Sequence, residues 1–99
     1  MKSEGIVLGQ IVHSKAGRDK EKCFIVVGII DNEYVLIADG DLRKIEKPKK
    51  KKIKHVIIRD LVAEDIKNKF EYNVKVSNSD LKNSLKQLGL INGLNGKEV

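Results

Sequence analysis

The stretch Cys23-Phe24-Ile25-Val26-Val27-Gly28-Ile29-Ile30 decides the fold class. It is rich in β-branched residues and apolar at both even and odd positions, which predicts a strand buried on both faces. Gly28 inside it predicts a bulge or bend of the kind that small barrels use at their corners. Asp31-Asn32-Glu33 reads as a turn, and Tyr34-Val35-Leu36-Ile37-Ala38 as the returning hairpin strand. Upstream, residues 9–14 alternate weakly around Ile11 and Val12 and predict the first strand, followed by a basic loop over 15–20. Downstream, Asp39-Gly40-Asp41 turns again, 42–45 predicts a short fourth strand, and 53–58 a fifth. Short strands with a turn every few residues predict a small closed barrel, which also leaves no exposed sheet edge.

Between the last two predicted strands lies the densest charge in the chain, Arg43-Lys44-Ile45-Glu46-Lys47-Pro48-Lys49-Lys50-Lys51-Lys52-Ile53-Lys54-His55. Eight basic residues stand there against the single acid Glu46, whereas the whole 99-residue chain carries only +6. The positive charge is therefore a local patch, and such a patch calls for a polyanionic counter-surface, nucleic acid or an acidic membrane. A solvated linker is the plainer reading. Pro48 and the flanking Ile45 and Ile53 favour a structured loop that rejoins a core, and polybasic loops of that kind contact nucleic acid. The run of four lysines is expected to be mobile in the free protein. Of the 20 basic residues only Arg18, Arg43 and Arg59 are arginine. Lysine is a point charge without a bidentate fork, which favours phosphate contact over base reading.

The remaining composition narrows the class. Hydrophobic residues make up 40% and charged residues 34%, which suits one small domain with little spare core. The single Cys23 cannot form an internal disulfide, so a reducing cytosol and a cytoplasmic location are expected. No apolar run approaches the roughly 20 residues that span a bilayer, and the N-terminus lacks a signal-peptide core.

At this point the residues carry a resemblance. Leu8-Gly9-Gln10-Ile11-Val12-His13-Ser14-Lys15-Ala16-Gly17-Arg18-Asp19-Lys20, followed by Phe24-Ile25-Val26-Val27, resembles a KOW motif. The run Tyr34-Val35-Leu36-Ile37-Ala38-Asp39-Gly40-Asp41-Leu42-Arg43-Lys44, then Glu46-Lys47-Pro48 and the lysines, is similar to one branch of that group. These are the bacterial KOW-domain RNA-binding proteins that resemble eukaryote-type large-subunit ribosomal proteins of the fourteen-e group. The resemblance spans roughly residues 6 to 58. It implies an SH3-like barrel that binds RNA, with ribosomal RNA as the target. In such a motif the loop glycine, here Gly17, lets the backbone approach phosphate, with Lys15, Arg18 and Lys20 as flanking cations. Glu21 departs from the pattern, since many KOW loops place glycine after the second lysine. An ordinary hairpin turn is the plain reading of Gly17.

Other candidates for chemistry are weak. His13 and Cys23 lack a third orienting group for nucleophilic catalysis, and a thiol in an apolar strand acts as a small hydrophobe. Asp39 and Asp41 offer too few oxygens for calcium, and His13, His55 and Cys23 are too scattered for zinc.

The second half changes to helical spacing. Asp60 is the expected cap of a helix with Val62, Ile66 and Phe70 on one face. Ser77-Asn78-Ser79-Asp80 offers a capping box for a second helix, with Leu81, Leu85 and Leu88 as its apolar face and Gly89 as its stop. These helices are expected to pack on the barrel, or to dock on another protein. Residues 91–99 read as a frayed tail.

The sequence thus predicts a mainly β protein, an SH3-like KOW barrel over residues 1–59 with the basic segment 43–55, then a two-helix α-helical appendage over 60–90. Its expected function is non-catalytic binding of structured ribosomal RNA in translation or ribosome biogenesis, without cofactor or metal. The expected RNA-contacting residues are Lys15, Gly17, Arg18, Lys20, Arg43, Lys44, Lys47, Lys49, Lys50, Lys51, Lys52, Lys54 and His55. Ribosomal proteins are further expected partners through the C-terminal helices. An SH3-like protein-interaction module is the alternative, and binding to anionic membrane a third reading, which the lack of Trp or Phe near the lysines disfavours.

Overall fold

The computed structural model of the protein describes residues 6–14 and 22–90. Five strands form one antiparallel sheet: β1 (Gln10–Ser14), β2 (Cys23–Ile29), β3 (Tyr34–Ala38), β4 (Lys49–Lys52) and β5 (Val56–Val62). Two helices follow, α1 (Glu64–Glu71) and α2 (Asn78–Gln87). The protein is mainly β, and the strand order β4-β3-β2-β1-β5 places β4 and β5 at opposite ends of the sheet. Yet only the 3-10 turn Ile53–His55 joins them. In a flat sheet those ends would lie about 19 Å apart, and three residues reach roughly 10 Å, so the sheet has to curl into a barrel-like shape.

Both faces of β2 are buried, as its apolar run predicts. On the inner face Phe24 and Val26 pack with Val12, Val35, Ile37, Val56 and Ile6. On the outer face Ile25 and Cys23 pack with Ile11, Ala38 and the helical residues Ile66, Leu81 and Leu85. The helices are thus a lid over the outer face of β1 and β2, sharing their core. Only the far end of β2 emerges into solvent, at Ile29 and Ile30. Gly28 marks a register shift against β3, because a Cβ there would meet the Leu36 side chain at 2.9 Å.

Several expectations need correction. Residues 42–45 do not form a strand. The Asp39 carboxylate, 1% exposed, accepts from the amides of Asp41 (3.0 Å) and Arg43 (2.9 Å) and wraps the chain into a turn. The Asn78 side-chain oxygen accepts from the Ile45 amide at 2.7 Å, so those donors are taken before any ladder can form. The fourth strand is instead the lysine run, which is neither a loop nor mobile chain but a strand paired to β3 from Tyr34↔Lys52 to Ile37↔Lys49. The fifth begins at Val56 and continues to Val62, absorbing Asp60, the expected helix cap. Helix α1 starts later, behind Ala63, without a side-chain cap.

Helix α2 follows its sequence signals. Ser77 Oγ accepts from the Asp80 amide at 3.1 Å, and Asp80 accepts from the Ser77 amide at 2.9 Å, a complete capping box. That backbone hydrogen bond holds the Asp80 carboxyl below its ordinary pKa, so the cap's contribution is present above the unfolded-state pKa and is lost as pH falls through the folded one. Gly89 ends the helix at φ +75. The two helices are tied by Ser84 Oγ, which donates to the Asp65 carboxylate at 2.7 Å and 2.8 Å.

Gly40 pins the 39–46 turn to α2. Its φ is +84, and an added Cβ would lie 2.3 Å from the Asn78 carbonyl oxygen. Substitution by valine combines a left-handed backbone penalty with a backbone clash, so we expect Gly40→Val to lower the melting temperature by on the order of 10 °C. A thermal melt matching the parent would contradict this packing.

Candidate nucleic-acid interface

Strand β4 is built from lysine alone, and nothing in its own side chains favours a strand. It forms because β3, whose inner side chains are locked in the barrel, offers an unpaired edge. Successive strand residues point to opposite faces. Lys49 and Lys51 stand opposite the buried Ile37 and Val35, on the inner side of the barrel rim. Both are half-buried, with their stems along the rim and their charges directed to water. Lys50 and Lys52 stand opposite Leu36 and Tyr34, on the outer side. The four charges are therefore split two and two.

Tyr34 organises the outer pair. The Lys50 ammonium lies 4.5 Å from the centre of its ring and the Lys52 ammonium 5.8 Å. Each is within the range of a cation–π attraction, so one aromatic holds two cations together. Beside them, the 31–33 turn is fixed by Asp31 Oδ1, which accepts from the amides of Glu33 and Tyr34. The Ile53 amide donates to the Glu33 carbonyl at 2.8 Å and ties this turn to the end of β4. Asn32, Glu33, Lys52, Ile53 and Lys54 line a shallow depression of about 310 Å³ there.

The other predicted cations are distributed as follows. Lys44 and Lys47 are exposed on the turn before β4, where the Lys47 amide donates to the Lys44 carbonyl at 2.9 Å. Glu46, the one acid among them, accepts from Asn78 Nδ2 at 2.9 Å, and that bond holds its pKa below the ordinary carboxylate value. It is thereby directed toward α2. Arg43 is half-buried, with its carbonyl accepting from the amides of Asp39 and Gly40. Lys54 and His55 are exposed in the 3-10 turn. The structure thus brings Lys49 to Lys52 and Lys54 onto one edge of the barrel. Lys15, Gly17, Arg18 and Lys20 lie outside the described residues. Sequence reasoning missed Tyr34 and Asn32 as members of this surface; the hairpin position of Tyr34 was readable, its pairing with Lys52 was not.

Cys23 is buried, and burial pushes its thiol pKa up against the opposing pull of Arg59, whose Nη1 lies 3.7 Å from the sulfur. A raised pKa keeps the thiol protonated at neutral pH, so its stabilising contribution is present below the unfolded-state value and is lost as pH rises through the folded one. Among the described residues no cluster of three or more His, Cys, Asp or Glu side chains is placed to hold a metal, and no helix is long and apolar enough to cross a membrane.

No family model matches the chain. A curated protein does: "Putative ribosome-binding protein YbzG" of Bacillus subtilis (strain 168) is 33% identical over 72 residues, which cover 73% of this chain and 97% of that protein. A likeness of that extent, over nearly the whole relative, places the chain in the same family as this small Bacillus protein.

Proposed function

We propose that the protein is a non-catalytic, cytoplasmic ribosome-binding protein that contacts structured ribosomal RNA through the lysine edge of its barrel. The relative named for ribosome binding supports the ribosome as partner. The observation that carries the RNA reading is β4, four consecutive lysines held in register on a rigid barrel edge, with Lys54 beyond them. A fixed line of cations matches a phosphate backbone, and it loses less entropy on binding than a mobile tail would. Phosphate contacts position the protein, while duplex shape and 2′-hydroxyls supply selectivity. Only four aromatic residues exist in the chain, too few for a track of stacked single-stranded bases. The finer family assignment, a KOW-type barrel close to the fourteen-e ribosomal proteins, fits the curl of the sheet and the return of β5 to β1.

Crosslinking the protein in living cells and sequencing the attached RNA tests this reading. We expect ribosomal RNA to dominate, with reads concentrated at one or a few structured sites. Attachment to ribosomal proteins without RNA would overturn it in favour of a protein-interaction module.

A further inference from the structure

The depression beside β4 is a built feature that a phosphate track alone leaves unused. Its wall on the strand side carries Lys52 and Lys54, and its floor carries the half-buried Ile53. Its opposite wall is the 31–33 turn, with the exposed Asn32 and Glu33. One side therefore attracts an anion, the floor is apolar, and the far side offers an amide and a carboxylate.

A phosphate cannot sit against Glu33, because like charges repel. A nucleotide can fill both halves. Its phosphate lies toward the Lys50 and Lys52 ammoniums, which Tyr34 gathers within 6 Å of one ring centre. Its base lies over Ile53 with its edge toward Asn32 and Glu33. An ionised carboxylate only accepts hydrogen bonds. It therefore prefers a base whose edge presents an exocyclic amino group, such as cytosine, over uracil, whose corresponding edge presents a carbonyl.

We propose that this depression is a one-nucleotide subsite that takes an unpaired, amino-bearing base from the RNA bound by the lysine edge. The inference rests on the RNA reading given above and names a ligand that the reading does not require. A base within a duplex cannot enter the depression, so the nucleotide has to be bulged or at a helix end. One such subsite is compatible with a chain so poor in aromatics, since it reads a single base.

The test uses the full chain and three RNA hairpins of equal stem: fully paired, with one bulged cytidine, and with one bulged uridine. The parent protein is expected to bind the cytidine bulge about tenfold more tightly than the uridine bulge, the discrimination that one good base-edge contact supplies. Glu33→Gln removes the acceptor-only edge and also a negative charge near the lysines. It should bind the fully paired hairpin at least as tightly as the parent, yet lose the cytidine preference. A merely structural role for Glu33 would not move these two readings in opposite directions. Asn32→Ala, in the same exposed turn, should reduce the preference without changing the melting temperature. If the parent treats the three hairpins alike while Lys50→Gln/Lys52→Gln weakens all of them, the subsite is overturned and RNA binding stands. If Glu33→Gln and Asn32→Ala both keep the preference, the base is read elsewhere and this assignment falls. Failure of the parent to bind any hairpin at low salt overturns the subsite together with the RNA reading.

Discussion

Replacing Val26 with aspartate is expected to unfold the protein. Val26 is 0% exposed and sits in the middle of β2, among Val12, Phe24, Val35, Ile37 and Val56. A carboxylate there either stays ionised without a partner or takes up a proton, and both routes cost several kcal/mol. A small domain has only about 5–15 kcal/mol of net stability in total. The neighbouring outer face cannot compensate, because β2 also carries Ile25 and Cys23 into the cluster beneath the helices. Loss of one inner residue therefore undermines both layers. Circular dichroism and thermal melts read this directly, and a variant that melts cooperatively at the parent temperature would contradict the placement of the core.

The second large effect is electrostatic and uneven along β4. If about five phosphates are contacted, the logarithm of the ribosome affinity should fall with the logarithm of salt at a slope of roughly −3.5 to −4.5. Between 50 mM and 200 mM salt that amounts to a loss of about 100-fold or more. Lys50→Gln/Lys52→Gln should flatten the slope by roughly 1.4 to 1.8, because these two ammoniums face outward over Tyr34. Lys49→Gln/Lys51→Gln changes the same net charge but alters side chains at the inner rim, opposite Ile37 and Val35. Its slope should change less. Titration of each variant against ribosomes at several salt concentrations decides the matter, and equal flattening by both pairs would show that the strand's two faces are not distinguished.

This asymmetry was not legible in the sequence, and the reason is physical. Local patterns announce structure where side chains themselves prefer it. The apolar run of β2, the bulge at Gly28, the hairpin to β3 and the Ser77–Asp80 capping box were all readable on that basis. Four adjacent lysines carry no such preference, and they become a strand only because β3 offers an edge to pair with. Residues 42–45 failed in the opposite sense. Their apolar ends suggest a strand, but Asp39 and Asn78 capture their amides from outside the segment. The same applies at Asp60, a good helix cap by type. Pairing of β5 with β1 extends past it to Val62, and the Gln10 side chain stabilises that extension by donating to the Arg59 carbonyl at 2.7 Å across the bulge. Of the candidate site, the charge and the partner class were readable. The division of the lysines between two faces, the gathering of Lys50 and Lys52 by Tyr34, and the depression beside them depend on strand register, which only the folded chain defines.

The most direct test of the central claim reads the protein side of the crosslink. The chain is irradiated while bound to ribosomes, digested with a protease that does not cut at lysine, and searched for peptides carrying a nucleotide mass. The account predicts nucleotide adducts on peptides containing Tyr34 and residues 49–54, lost when Lys50 and Lys52 are replaced by glutamine. Adducts confined to α1 and α2, or ribosome binding that leaves no nucleotide on the lysine edge, would contradict it.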